Sequence, residues 1–159
     1  MEMSFDEKLE FGKIAEKEIE SYFMNKDYNI IRSYDYVGDD NKSPKMFSKK
    51  INFVLPDLDI SKNGKRFWVE CKHYTHTPLN RKYNIYVHGI KKRHYNHYLN
   101  VQNETGNLIY LFIKEIEHNC ILYAQLDQLK TYDCQCGRCN NNCLIYFNRE
   151  DFKEIKNDN

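Results

Sequence analysis

What this chain lacks narrows its class before any motif is considered. No apolar run reaches membrane-spanning length. The opening residues, Met1-Glu2-Met3-Ser4-Phe5-Asp6-Glu7, have neither the basic start nor the apolar stretch of a secretory signal. Neither sign of charge is in excess. The 24 Lys and Arg against 23 Asp and Glu leave +1, which excludes a simple polycationic coat for nucleic acid but leaves room for a local basic surface. Prolines number three and glycines six, and neither a repeat nor an interdomain linker is visible. Residues 1–159 are therefore expected to form a single domain, which buries roughly two-thirds of its unfolded surface. The missing signal points to the cytoplasm, where the six cysteines are thiols or metal ligands rather than disulfides.

What is present reads as an α/β protein. Aromatic residues make up 14% of the chain, 13 of them Tyr, so the core is expected to be aromatic-rich. Ser4-Phe5-Asp6-Glu7 fits a capping box that opens a helix running to about Met24. Strands are expected over Tyr28–Val37, Ile51–Ile60 and Lys65–His73, with a polar loop over Gly38–Lys50 and a turn at Asn63-Gly64. Thr75–Asn84 reads as an irregular loop. A helix follows from Gly89 or Ile90 to about Gln102, ended by Gly106-Asn107. Strands at Leu108–Ile113, Cys120–Gln125 and Leu144–Phe147, a helical turn at Leu126–Leu129 and another over Arg149–Lys156 complete the chain. That order predicts a mixed central β-sheet flanked by helices.

Two neighbouring stretches carry the chemistry. In Leu55-Pro56-Asp57-Leu58-Asp59-Ile60, alternation puts Asp57 and Asp59 on one face. In Arg66-Phe67-Trp68-Val69-Glu70-Cys71-Lys72, it puts Trp68, Glu70 and Lys72 opposite Phe67, Val69 and Cys71. Acids at the mouth of apolar strands suit a hard divalent cation, which takes carboxylate oxygens as ligands. A surface hairpin with an Asp–Lys pair is the plain alternative. The first helix weighs on the choice: Phe5, Leu9, Gly12, Ile19 and Phe23 fall on one stripe, and Glu16 lies in its middle. An acid facing a core is costly unless compensated, so Glu16 either snorkels from the rim or reaches toward the acids of the strands.

Pro56-Asp57, Glu70-Cys71-Lys72 and Glu16, in a preceding helix after Gly12, together resemble the PD-(D/E)XK nuclease superfamily, over roughly Ser4 to Lys114 and most closely its small phage-type members. The resemblance implies a restriction-endonuclease-like core and a Mg²⁺- or Mn²⁺-dependent nuclease acting on DNA, in the host cytoplasm for a viral protein. It implies Asp57, Glu70 and the backbone carbonyl of Cys71 as metal ligands. Lys72 would act on the attacking water and Glu16 would assist. The role of Asp59 stays open between ligand and bystander. The resemblance also allows a homodimer, since small resolvases of this superfamily are dimers. A non-catalytic nucleic-acid or protein-binding module on the same scaffold is the alternative of a different class.

Three further groups stand out. Lys82, His88, Lys91, Lys92, Arg93, His94 and His97, interleaved with Tyr83, Tyr86, Tyr95 and Tyr98, form a basic run. Lys82, Lys91, Lys92, Arg93, His94 and Tyr95 are its candidates for contacting phosphates and bases, against a solvated helix face with inward tyrosines. Cys134, Cys136, Cys139 and Cys143, around Gly137, suit a tetrahedral structural Zn²⁺ in a loop spanning 131–144; disulfides or an iron–sulfur cluster, which some members of the superfamily carry, are the alternatives. His73 and His76 are read as surface histidines near the cleft rather than ligands.

Overall fold

The computed structural model of the chain describes residues 5–33, 45–134 and 143–155, with side chains of the first helix from Glu10 onward. Helix α1 (Phe5–Met24) buries Ala15, Ile19 and Phe23, which recur at the three-to-four-residue spacing of one helical face. Glu16 is half-buried on that face, and Glu20, one turn on, is buried. Glu20 is compensated by the next element. Its Oε1 and Oε2 accept from Nε (2.6 Å) and Nη2 (2.8 Å) of Arg32, on strand β1 (Asn29–Arg32).

The segment expected as one strand over Ile51–Ile60 is two. β2 (Lys45–Phe47) and β3 (Asn52–Val54) form a separate antiparallel hairpin, within what was expected to be loop and strand start. β4 (Leu58–Lys62) joins the main sheet. Pro56 explains the break, because it has no N–H to donate to a ladder. Beyond it the Asp57 carbonyl accepts from Ser33 N–H at 2.8 Å. β4 turns through Asn63 and Gly64, at φ 51° and 77°, into β5 (Lys65–Tyr74). Two successive positive φ values are what an Asn-Gly hairpin turn supplies.

Another expectation fails at Gly89. The chain from Ile85 to Lys91 is strand β7, not the start of a helix, and it follows the short β6 (Leu79–Asn80). β7 pairs antiparallel with β6 on one side and with β11 (Leu144–Asn148) on the other. Gly89 fits this pairing, since a Cβ there would sit 2.9 Å from Tyr146 Cδ1. Helix α2 runs from Lys92 to Thr105 and ends at Gly106 (φ 70°), whose N–H reaches the Gln102 carbonyl at 2.8 Å.

β8 (Ile109–Glu115) and β9 (Cys120–Gln125) complete the main sheet with β12 (Lys153–Glu154). β12 and the single 3-10 turn Arg149–Asp151 replace the helical turn expected over Arg149–Lys156. The main sheet has the order β1-β4-β5-β8-β9-β12, with only β5 and β8 parallel. A second sheet has the order β10-β11-β7-β6, with β10 at Thr131–Asp133. The main sheet separates two cores. Ile19 and Phe23 of α1 pack with Leu58, Ile60, Val69, Cys71 and Phe112 on one face. Tyr98 and Val101 of α2 pack with Trp68, Leu111, Ile113, Ile145 and Phe147 on the other. Full burial of a side chain such as Ile60 or Ile113 contributes about 1.5–3 kcal/mol. Among the described residues no helix is long and apolar enough to cross a membrane.

Candidate functional site

The register of β4 against β5 builds the site. Leu58 stands opposite Val69 and Asp59 opposite Trp68, so Asp57, one residue earlier, falls across from Glu70. Directly opposed residues in an antiparallel pair share a face. Asp57, Glu70 and Lys72 therefore share the face of the sheet that α2 covers, while Cys71 points its thiol into the α1 core.

The three side chains meet around the Cys71 peptide. Asp57 Oδ2 accepts the Cys71 N–H at 2.7 Å. The Lys72 ammonium donates to the Cys71 carbonyl at 3.1 Å and forms an ion pair with Glu70 Oε1. The other oxygen of Glu70 accepts from the Tyr98 hydroxyl at 2.7 Å. Asp57 is 8% exposed and Glu70 2%. Burial, and then the charge of Glu70, push the Asp57 carboxyl well above its ordinary range. Burial pulls the Lys72 ammonium down, but Glu70 and Asp57 outweigh it and hold its pKa above the ordinary lysine value. The charge of Glu16 bears on both Asp57 and Cys71, so it acts on the same end of the sheet from the α1 side.

Two carboxylates and a carbonyl, with one ammonium as nearby positive charge, form a hard oxygen set. It fits Mg²⁺ or Mn²⁺ and not a soft metal. Burial, and then the charge of Glu70, disfavour the ionised Asp57 carboxylate, a shortage of positive charge that a bound cation would relieve. Among the described residues no three His, Cys, Asp or Glu side chains gather closely enough to hold a metal ion by themselves.

No protein-family model matches the sequence, and no curated protein matches it in sequence. In structure the chain is similar to Archaeoglobus fulgidus Hjc, a Holliday junction resolvase from an archaeal hyperthermophile. The TM-score is 0.56 at 12% identity, over 87% of this chain and 89% of that one. The two share a fold. A mixed sheet with flanking helices is the architecture that the sequence resemblance implied.

The remaining candidates separate. Asp59 lies on the same face as Asp57, but both its oxygens are taken by Arg66, Oδ1 at 2.8 Å from Nε and Oδ2 by Nη2. The basic run is divided between a turn, a strand and a helix. Lys82 sits in the turn between β6 and β7, its ammonium 4.8 Å from the Tyr83 ring centroid. Lys91 ends β7, and Lys92 and Arg93 begin α2. Tyr95 packs its ring 5.9 Å from Phe147 at the edge of the core. His94 is half-buried with Nδ1 3.5 Å from the Tyr98 hydroxyl, which places it beside Glu70. His73 bonds the Phe11 carbonyl through Nδ1 at 2.7 Å and stacks on the Phe11 ring, whereas His76 is exposed. Cys134 follows β10 and the buried Cys143 precedes β11, so the antiparallel pair brings both to one end of the second sheet. Cys136 and Cys139 lie outside the described residues.

Sequence reading missed two groups. Tyr98 stands in the sequence as one of the tyrosines interleaved with the basic run, with no sign of Glu70 as its partner; its hydroxyl is the signal that a buried ring there has a polar partner. Glu115, at the end of β8, is buried amid Arg149, Thr77, His88 and Cys120. Burial would raise its carboxyl, but hydrogen bonds from Arg149, Thr77, His88 and Cys120 hold it at about 2. His88 Nε2 donates to it at 2.6 Å.

Proposed function

We propose that this chain is a divalent-metal-dependent nuclease that hydrolyses DNA. The observation that carries the reading is the convergence of Asp57, Glu70 and Lys72 on one peptide at the end of two paired strands. The fold likeness to a Holliday junction resolvase supports it.

Asp57, Glu70 and the Cys71 carbonyl would hold Mg²⁺ or Mn²⁺. Such an ion lowers the pKa of a bound water and neutralises charge on phosphoryl oxygens. Asp57 rather than Asp59 takes this role, because Arg66 satisfies Asp59. Lys72, kept protonated by its two acidic neighbours, stabilises negative charge developing on the phosphate and orients the attacking water. Glu16 supplies further negative charge from the α1 side. Lys91, Lys92 and Arg93 at the start of α2 hold phosphates of the bound strand. The four-cysteine loop is a separate structural Zn²⁺ site, a reading supported by the way β10 and β11 bring Cys134 and Cys143 together.

The test is incubation of the chain with supercoiled, linear, single-stranded and branched DNA in Mg²⁺, Mn²⁺ and EDTA. Cleavage is expected in either metal and not in EDTA, and not by Asp57→Ala or Lys72→Ala. Salt-sensitive binding of the unaltered chain without cleavage of any substrate would replace this reading with a non-catalytic binding module.

A further inference from the structure

The β2–β3 hairpin carries an aromatic and basic surface that the catalytic arrangement does not use. Met46 and Phe53 pair across its strands and pack with Val54 against the α2 core. The Val54 N–H donates to His97 Nδ1 at 3.1 Å, and the Phe53 ring lies 5.8 Å from that imidazole. One side of the hairpin is thus fixed to α2. The rest is open: Lys45, Lys49 and Lys50 are exposed, and Phe47 at 78% is the most exposed large apolar side chain described.

Among the described residues, charge on this surface is of one sign. Residues 45–56 contain no acid, so the first carboxylate the chain reaches after the hairpin is Asp57 itself. Residues 85–103, which include most of α2, also contain none. Among the described residues none of Lys45, Lys49, Lys50, Lys91, Lys92 and Arg93 is paired with a carboxylate. Burial, then Arg93 and then Lys45 hold the His97 ring below the ordinary histidine range, so the hairpin cation and the helix cation act on one place. His94, one turn back, feels Glu70, Lys72, Arg93 and Lys91 together. Among the described residues a strip of unneutralised cations therefore runs from the hairpin along the start of α2 and past Glu70.

We infer that the β2–β3 hairpin is a nucleic-acid-binding arm of the cleft, its lysines on backbone phosphates and Phe47 against the face of an unpaired base. Charge complementarity selects a polyanion, and the exposed phenyl selects within that class. A base inside a duplex has both faces covered, whereas an unpaired base at a single strand or branch offers one to stack on. The inference rests on the nuclease reading for the direction in which a strand would run, from the hairpin toward Asp57.

The experiment measures binding rather than cleavage, with the full chain in EDTA. The probes are labelled oligonucleotides of equal length: single-stranded, blunt duplex, and a branched duplex with one unpaired arm. Replacing Lys45, Lys49 and Lys50 together by Ala is expected to flatten the slope of log affinity against log salt, by roughly 2 on single strands and roughly 3 on duplex. Phe47→Ala is expected to weaken single-strand and branched binding about tenfold or more, while blunt-duplex binding stays within about twofold. Phe47→Trp keeps the stacking surface and is expected to keep the affinity. An unchanged salt slope in the lysine variant, or unchanged single-strand affinity in Phe47→Ala, overturns the inference. A chain that shows these binding contrasts yet cleaves nothing in Mg²⁺ overturns the nuclease reading instead.

Discussion

The hydrogen bond from Tyr98 to Glu70 offers the sharpest perturbation of the proposed metal site. Tyr98→Phe removes one hydroxyl from a ring that is 2% exposed and leaves its packing surface in place. Glu70 then loses the 2.7 Å donor on Oε2 and keeps only Lys72 on Oε1. A hydrogen bond to a charged group contributes about 1.5–3 kcal/mol. Partners that orient a ligating carboxylate are worth about 10–100-fold in metal affinity, which at 1.36 kcal/mol per tenfold is about 1.4–2.7 kcal/mol. The two estimates agree, so Mn²⁺ should bind the variant about 10–100-fold more weakly. Calorimetric titration of Mn²⁺ without DNA reads this directly. The Mg²⁺ concentration giving half-maximal cleavage should rise in parallel, while the rate at saturating metal falls less. Mn²⁺ affinity within twofold of the unaltered chain would refute the reasoning, because it would mean that Glu70 is oriented without Tyr98 or is not a ligand.

Asp57→Asn tests the charge shortage from the opposite side. Asn can still accept the Cys71 N–H, and it removes a carboxyl whose folded pKa is raised by burial and by Glu70. A raised acid contributes stability at low pH that is lost as pH climbs through its folded value. The metal-free variant should therefore melt higher than the unaltered chain at neutral pH, by roughly 2–4 °C per kcal/mol of relieved repulsion, while losing cleavage. A lower neutral melting temperature would contradict the cause given for the shift. The Glu115 cluster behaves with the opposite sign. Its carboxyl is held at about 2, so its contribution is full above the ordinary glutamate value of 4.5 and fades as pH falls toward 2. Arg149→Met should cost about 3 kcal/mol at neutral pH, measured by denaturant unfolding, and much less near pH 2; an equal loss at both would exclude the carboxylate as the source.

How much of this was legible in the sequence depends on how far apart the deciding residues lie. Glu70 and Lys72 were readable because period-two alternation is a property of one strand. Asp57 was readable with them because Asn63-Gly64 ties its strand to theirs by a short turn. The break at Pro56 was legible in principle, since a missing N–H is local. The strand Ile85–Lys91 was not, because its partner β11 lies more than fifty residues on and Tyr146 is what makes Gly89 a strand residue. Glu20 was overlooked for the same reason, its compensation coming from Arg32 in another element. Asp57 and Asp59 look alike in sequence; Arg66, opposite Ser61 in the register, separates them. Partners in other elements or across the hairpin, not local propensity, decided the strand at Ile85–Lys91, Glu20 and the choice between Asp57 and Asp59.

The Cys71 peptide has its N–H committed to Asp57 and its carbonyl to Lys72. A slip of β5 by a single residue would turn Glu70 and Lys72 into the apolar layer under α1 and bring Val69 and Cys71 to the cleft. No intermediate alignment preserves a weakened version of the site. Cleavage rate per mole of protein should then count correctly registered molecules, and a destabilised preparation should lose activity by losing active molecules rather than by slowing each one.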